Sequence, residues 1–177
     1  FEDSIFEVKN TTKIFDSFFL HWGRVIKGKF YKNDKVKAIV DSKKRDLIKC
    51  NHSSTHLLHS SLRKILGKHV SQKGSLVNDK KLRFDFSHNQ SISPEDIKKI
   101  ENLVKSQIND NSDIKIKVID HQKAIEEGAI ALFGEKYGDE VRVVSMGSIE
   151  DDVIFSKELC GGTHVNKTGD IKDFKII

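Results

Sequence analysis

Two four-residue steps of metal-binding side chains, His52 to His56 and Cys160 to His164, stand more than a hundred positions apart in this chain. If they serve one centre, the fold must return its far end to residue 52, which excludes a string of independent local elements. The first pair lies in a run where Leu57, Leu58, Leu62, Ile65 and Leu66 follow the 3.6-residue period, so both imidazoles project from one helical face. In the second, Gly161 and Gly162 allow the backbone to double back, bringing thiolate and imidazole to the same side. Three His and one Cys form a donor set suited to Zn2+.

The surroundings of these pairs indicate an α+β protein in two parts. Up to residue 49 the pattern is one of short strands, at Ile5–Val8, Gly23–Tyr31 and Val36–Val40, with a turn at Lys32-Asn33-Asp34. Such spacing predicts a small β-barrel or sandwich. From Asn51, a good N-cap, the helix runs to Gly67. A hairpin follows (Val70–Val77 and Lys81–Phe86), then a helix opened by Ser93-Pro94-Glu95-Asp96. Beyond it come a strand at Ile114–Val118, a short helix at His121–Glu127 and a loop, Gly128–Gly138, around the apolar patch Ala129–Phe133. Strands near Val141–Met146, Val153–Phe155 and Ile171–Ile177 close the chain. Strands and helices do not alternate regularly, so the second part is expected to carry helices on a largely antiparallel sheet.

Composition narrows the function. Apolar residues make up 37% and charged residues 32% of 177, enough for a folded core and too mixed for a disordered tail. No apolar run approaches the roughly 18 residues of a membrane span, and no export signal opens the chain. A cytoplasmic protein is the expectation. Two cysteines, Cys50 and Cys160, cannot make a disulfide framework. The net charge is +5, but it is polarised: residues 24–49 hold ten basic and three acidic side chains, and residues 126–177 hold six and eleven. The basic stretch can face a polyanion, or can be a solvated surface. The start at Phe1 and the strand-like Phe174–Ile177 suggest a piece of a longer polypeptide.

Several chemistries compete for the donor set. Four protein ligands already complete a tetrahedron, whereas catalytic zinc usually keeps one position open. A zinc protease would place Glu directly after the first His, and Ser53 stands there instead. Cys160 as nucleophile with His164 as base would leave the His pair unexplained. His59, one turn beyond His56, is a further candidate ligand or a helix-surface or core histidine, and Cys50 fills space. Trp22, Phe18 and Phe19 can stack on bases or fill a barrel. A non-catalytic alternative is a zinc-stabilised RNA-binding module.

Five blocks resemble the editing domain of alanyl-tRNA synthetases: Asn51-His52-Ser53-Ser54-Thr55-His56-Leu57-Leu58, His69-Val70-Ser71-Gln72-Lys73-Gly74-Ser75-Leu76-Val77, Leu82-Arg83-Phe84-Asp85-Phe86-Ser87-His88, Ala131-Leu132-Phe133-Gly134-Glu135-Lys136-Tyr137 and Glu158-Leu159-Cys160-Gly161-Gly162-Thr163-His164. The resemblance implies a β-barrel-like segment over 1–49, truncated at its N-terminus, and a zinc-containing editing domain over 50–177. It implies zinc ligation by His52, His56, Cys160 and His164, discrimination of serine by Thr55, and a pocket role for Gln72. The implied activity is hydrolysis of serine or glycine esters from mischarged tRNA(Ala), by attack of a zinc-proximal water on the ester carbonyl. A site sized for alanine gains only about 1–3 kcal/mol against neighbours of that size, so a second site must sort by another feature. Nothing resembles the ATP-binding aminoacylation domain or the oligomerisation region of that family, so a monomer without ligase activity is expected. Free-standing editing proteins of the same superfamily share the His and Cys motifs. Neither a membrane nor DNA is implied as a partner.

Overall fold

The computed structural model describes residues 4–14, 18–131, 137–148 and 153–177. The chain divides into two compact units, Phe1–Val40 and Asp41–Ile177. In the first, Ile5–Ile14 (β1) and Phe18–Lys27 (β2) pair antiparallel, from Ile5 opposite Lys27 to Ile14 opposite Phe18. Register irregularities at Ile5/Phe6 and Val8/Asn10 twist the pair, as in the bulged ribbons from which small barrels are made. Gly23 allows the close approach, because a Cβ there would collide with the Glu7 carbonyl. Across the ribbon Arg24 Nε donates to Glu7 Oε2 at 2.9 Å, and Trp22 Nε1 to Thr12 Oγ1 at 3.2 Å. The turn at Lys32-Asn33-Asp34 forms, with Asn33 at φ 71° and Asp34 N–H on the Tyr31 carbonyl. The strand expected at Val36–Val40 does not. Among the described residues no partner strand lies beside it, so its alternating side chains have no ladder to join.

The second unit is organised around the helix Ser42–Leu66 (α1). Asp41, rather than Asn51, is its N-cap, accepting from Lys44 N–H at 3.0 Å. Its opening turns, Ser42-Lys43-Lys44-Arg45-Asp46, are polar and show no apolar period, which is why the sequence pattern starts the helix too late. Asn51 instead reaches out to the Asn78 carbonyl at 2.7 Å. From Ser53 to Leu62 every residue is buried, so the helix is enclosed on all sides and not on one apolar face alone. Three of its hydroxyls are satisfied locally: Ser54, Thr55 and Ser61 donate to the carbonyls of Cys50, Asn51 and Leu57 at 2.8, 3.0 and 2.8 Å.

Around α1 pack the helix Pro94–Asn109 (α2), capped by Ser93, and the antiparallel hairpin Gln72–Val77 (β3) with Leu82–Phe86 (β4). Lys115–Asp120 (β5), Glu140–Ser148 (β6) and Ile154–Leu159 (β7) form an antiparallel sheet in the order β5-β6-β7, with the short helix His121–Glu126 (α3) against β5 and β6. Leu57, Leu58 and Leu62 meet Ile100, Val104 and Ile108 of α2 and Val144, Met146 and Phe155 of the sheet in the main core. The protein is thus α+β, with antiparallel sheets flanked by helices. Residues 132–136, most of the Ala131–Tyr137 block, lie outside the described residues. No strand forms at Ile171–Ile177. A 3₁₀ turn, Thr168–Ile171, leads into an irregular tail anchored by buried Ile171 and Phe174, with Ile176 N–H donating to Glu101 Oε1 at 2.7 Å. Among the described residues no helix is long and apolar enough to cross a membrane.

Candidate metal centre and its cavity

The buried stretch of α1 and the end of β7 meet side by side, and this contact brings residues 52–56 to residues 158–164. The ligand atoms of His52, His56, Cys160 and His164 all lie within 4.8 Å of one another. Cys160 Sγ is 3.4 Å from both His52 Nε2 and His164 Nε2, and the Gly162 N–H also donates to it at 3.4 Å. The ring centroids of His164 stand 4.3 Å from His52 and 5.0 Å from His56.

The outward nitrogens of two of these rings are held. His56 Nδ1 lies 2.8 Å from Glu158 Oε2. His164 Nδ1 lies 3.2 Å from Ser53 Oγ, which also accepts from Val165 N–H at 3.2 Å. His56 Nε2 is buried inside the cluster with no hydrogen-bond partner. An orphaned buried nitrogen facing a thiol and two more imidazole nitrogens is what a four-donor zinc site leaves behind when the ion is taken away, so the donor set fits the metal.

The electrostatics of the cluster favour a thiolate. Burial opposes charge on Cys160, but hydrogen bonds from His164 and His52, with the charge of the neighbouring His56, overturn that and hold its pKa at about 3. Burial likewise opposes an imidazolium at His56, yet the Glu158 carboxylate and Cys160 raise its pKa to about 10. Glu158, against its own burial, is held well below the usual carboxylate range by His56 and His59. At His164 burial and the neighbouring imidazoles push the pKa down.

A cavity of about 420 Å³ opens beside the cluster, and Thr55, Gln72, Ser75, Tyr137 and Arg142 line it together with His52, His56 and Cys160. Thr55 Oγ1 spends its proton on the Asn51 carbonyl, so it presents lone pairs to any hydroxyl that approaches. Gln72 Nε2 is 3.4 Å from Ser75 Oγ at the bulged end of β3.

Residues 141–177 match the family described as "Threonyl and Alanyl tRNA synthetase second additional domain". Over 171 residues the chain is 51% identical to the alanine–tRNA ligase of Saccharophagus degradans, covering 97% of this chain and 19% of that protein. It is 49% identical over 172 residues to the alanine–tRNA ligase of Legionella pneumophila strain Corby, with the same coverage. The chain belongs with the alanine–tRNA ligases over the stretch they share. That stretch spans about a fifth of the length of these relatives.

The structure brings all six sequence-derived candidates, His52, His56, Cys160, His164, Thr55 and Gln72, to one place. His59 stands apart from the donor group, its Nδ1 on Glu158 at 2.9 Å and its ring against Phe84. Cys50 packs at the edge of the core, donating to the Asp170 carbonyl at 3.5 Å, with its thiol pKa raised by burial. Sequence reasoning missed two charged residues. Arg142 Nη1 donates to the carbonyls of Cys160 and Gly162 at 2.6 and 2.8 Å and so pins the turn that presents the thiol. Its signal was a lone cation between Val141 and Val143 in an apolar strand. Glu158, two residues before Cys160, is 2% exposed, and a carboxylate in a strand that ends at a metal motif was its signal.

Proposed function

We propose that this segment hydrolyses the ester of tRNA(Ala) mischarged with serine or glycine, in the cytoplasm, as an aminoacyl-tRNA deacylase. The observation that carries the reading is the shared cavity: a chamber lined by three members of the four-donor cluster, His52, His56 and Cys160, together with Thr55 and Gln72. In hydrolysis, water adds to the ester carbonyl carbon and the ribose oxygen departs with a proton, yielding free amino acid and intact tRNA.

Thr55 supplies the sorting of serine from alanine. A seryl hydroxyl can donate to its Oγ1, whereas an alanyl methyl leaves that buried acceptor unmet, at a cost of about 1–3 kcal/mol. Gln72, at the start of β3, offers amide donors to the substrate. Arg142 keeps the Cys160–Gly162 turn in place through the two carbonyls it binds. Zn2+ held by His52, His56, Cys160 and His164 would supply positive charge to orient the ester or water and to stabilise developing negative charge.

The test follows ester loss from radiolabelled seryl-tRNA(Ala) with the chain in excess over the tRNA. Loss should be faster than in buffer, and Cys160→Ala should return it to the background rate. Binding of the tRNA with no gain in hydrolysis would sink the deacylase reading and leave a zinc-stabilised RNA-binding module.

A further inference from the structure

Glu158 lies between two histidines of α1. Its Oε2 is 2.8 Å from His56 Nδ1, its Oε1 is 2.9 Å from His59 Nδ1, and Ser156 Oγ donates to Oε1 at 3.5 Å. All four side chains are buried, with Glu158 and Ser156 each 2% exposed. An ionised carboxylate only accepts, so both Nδ1 atoms must carry protons. A neutral His56 then has its lone pair on Nε2, and Nε2 is the orphaned nitrogen inside the donor cluster.

We infer that Glu158 is the positioning residue of the metal centre: it fixes His56 in the Nδ1–H tautomer, aims Nε2 at the ion, and is itself braced by His59 and Ser156. The inference rests on the four donors being metal ligands. Charge points the same way. A zinc dication with three neutral imidazoles and one thiolate retains one positive charge in a buried site, and the Glu158 carboxylate, one hydrogen bond beyond His56, neutralises it. An amide of the same shape would not. His59 also gains a purpose: it has no place among the donors, but it occupies the second carboxylate oxygen and prevents the group from rotating away from His56.

The experiment measures zinc affinity of the whole chain by competition with a chromophoric chelator, for the wild type and Glu158→Gln. Circular dichroism and the unfolding midpoint of the metal-free forms show whether each is folded. Glu158→Gln should bind zinc 10- to 100-fold more weakly while keeping the wild-type dichroism, and its cobalt(II) absorption bands should shift. Equal zinc affinity in the two proteins overturns the inference. A wild type that takes up no zinc overturns the underlying ligand reading, a different outcome from equal affinity. If Glu158→Gln fails to fold, the imidazole nitrogen resonances of zinc-loaded wild type decide. Protonated Nδ1 with metal-bound Nε2 on His56 is the expected pattern, and metal on Nδ1 refutes the role given to Glu158.

Discussion

Gly162 packs its backbone directly against the imidazole of His52, so closely that a Cβ at position 162 would collide with the ring. Its neighbour Gly161 has nothing within 4 Å of that position. The two glycines of one turn are therefore unequal. Gly162→Ala should displace His52 and lower zinc content well below one equivalent, while Gly161→Ala should keep it. Metal analysis of the two purified variants checks this, and similar zinc content in both would contradict it.

Metal binding should be felt as stability, because the four donors join α1 to the end of β7. At free zinc a thousandfold above Kd, binding adds about 4 kcal/mol. For a chain of this size that raises Tm on the order of 10 °C. Scanning calorimetry with zinc and with a chelator reads the shift, and Cys160→Ala should show almost none.

Thr55 has its hydroxyl proton committed to Asn51, which makes it an acceptor toward the cavity. Thr55→Val keeps the shape and removes that acceptor. Hydrolysis of the seryl ester should slow by roughly fivefold, the equivalent of about 1 kcal/mol, with little change for the alanyl ester. Parallel deacylation assays give the ratio. Equal slowing of both esters would mean that position 55 shapes the site without reading the substrate hydroxyl.

Arg142 binds two carbonyls of the thiol-bearing turn through one nitrogen. Arg142→Ala strips both of their charged donor and should destabilise the fold by about 2 kcal/mol. Urea denaturation of the metal-free proteins measures it, separately from any loss of zinc.

Acid should loosen the start of α2 before the core. Asp96 has its pKa lowered from 3.8, first by the hydrogen bond from Lys99 and then by that from Ser93. A depressed carboxylate pKa stabilises above the unfolded value and loses that contribution as pH falls through the folded one. Protection of the amides of residues 95–97 against exchange should therefore fall below about pH 4. Ser93→Ala removes the cap that Asp96 N–H uses and should cost about 1 kcal/mol at neutral pH.

How far the sequence reveals this fold differs from element to element. The hairpin β3–β4 and helix α2 announce themselves, the one by alternation around Asn78-Asp79 and the other by Ser93-Pro94. The meeting of the His pair with Cys160 and His164 is legible too, because four-residue steps of these side chains have few other uses. The polar opening of α1 is not, since its cap at Asp41 precedes any apolar period. Nor is the tail after Thr168, where Phe174 and Ile176 mimic strand alternation while the backbone amide of Ile176 bonds to a side chain. Glu158 and Arg142 stay hidden for a different reason: a single charge in a strand shows its purpose only once the groups it touches, distant in sequence, are seen beside it.

The enclosed middle of α1 sets how such a chamber can change over evolution. Thr55 and His56, which line the chamber, belong to a stretch of ten buried residues that fills the interior, so this wall cannot tilt or slide to admit a larger guest without unpacking the molecule. New selectivity has to come from single side-chain replacements at positions such as 55, or from the β3–β4 hairpin that carries Gln72 and Ser75, the wall with the most freedom to be rebuilt.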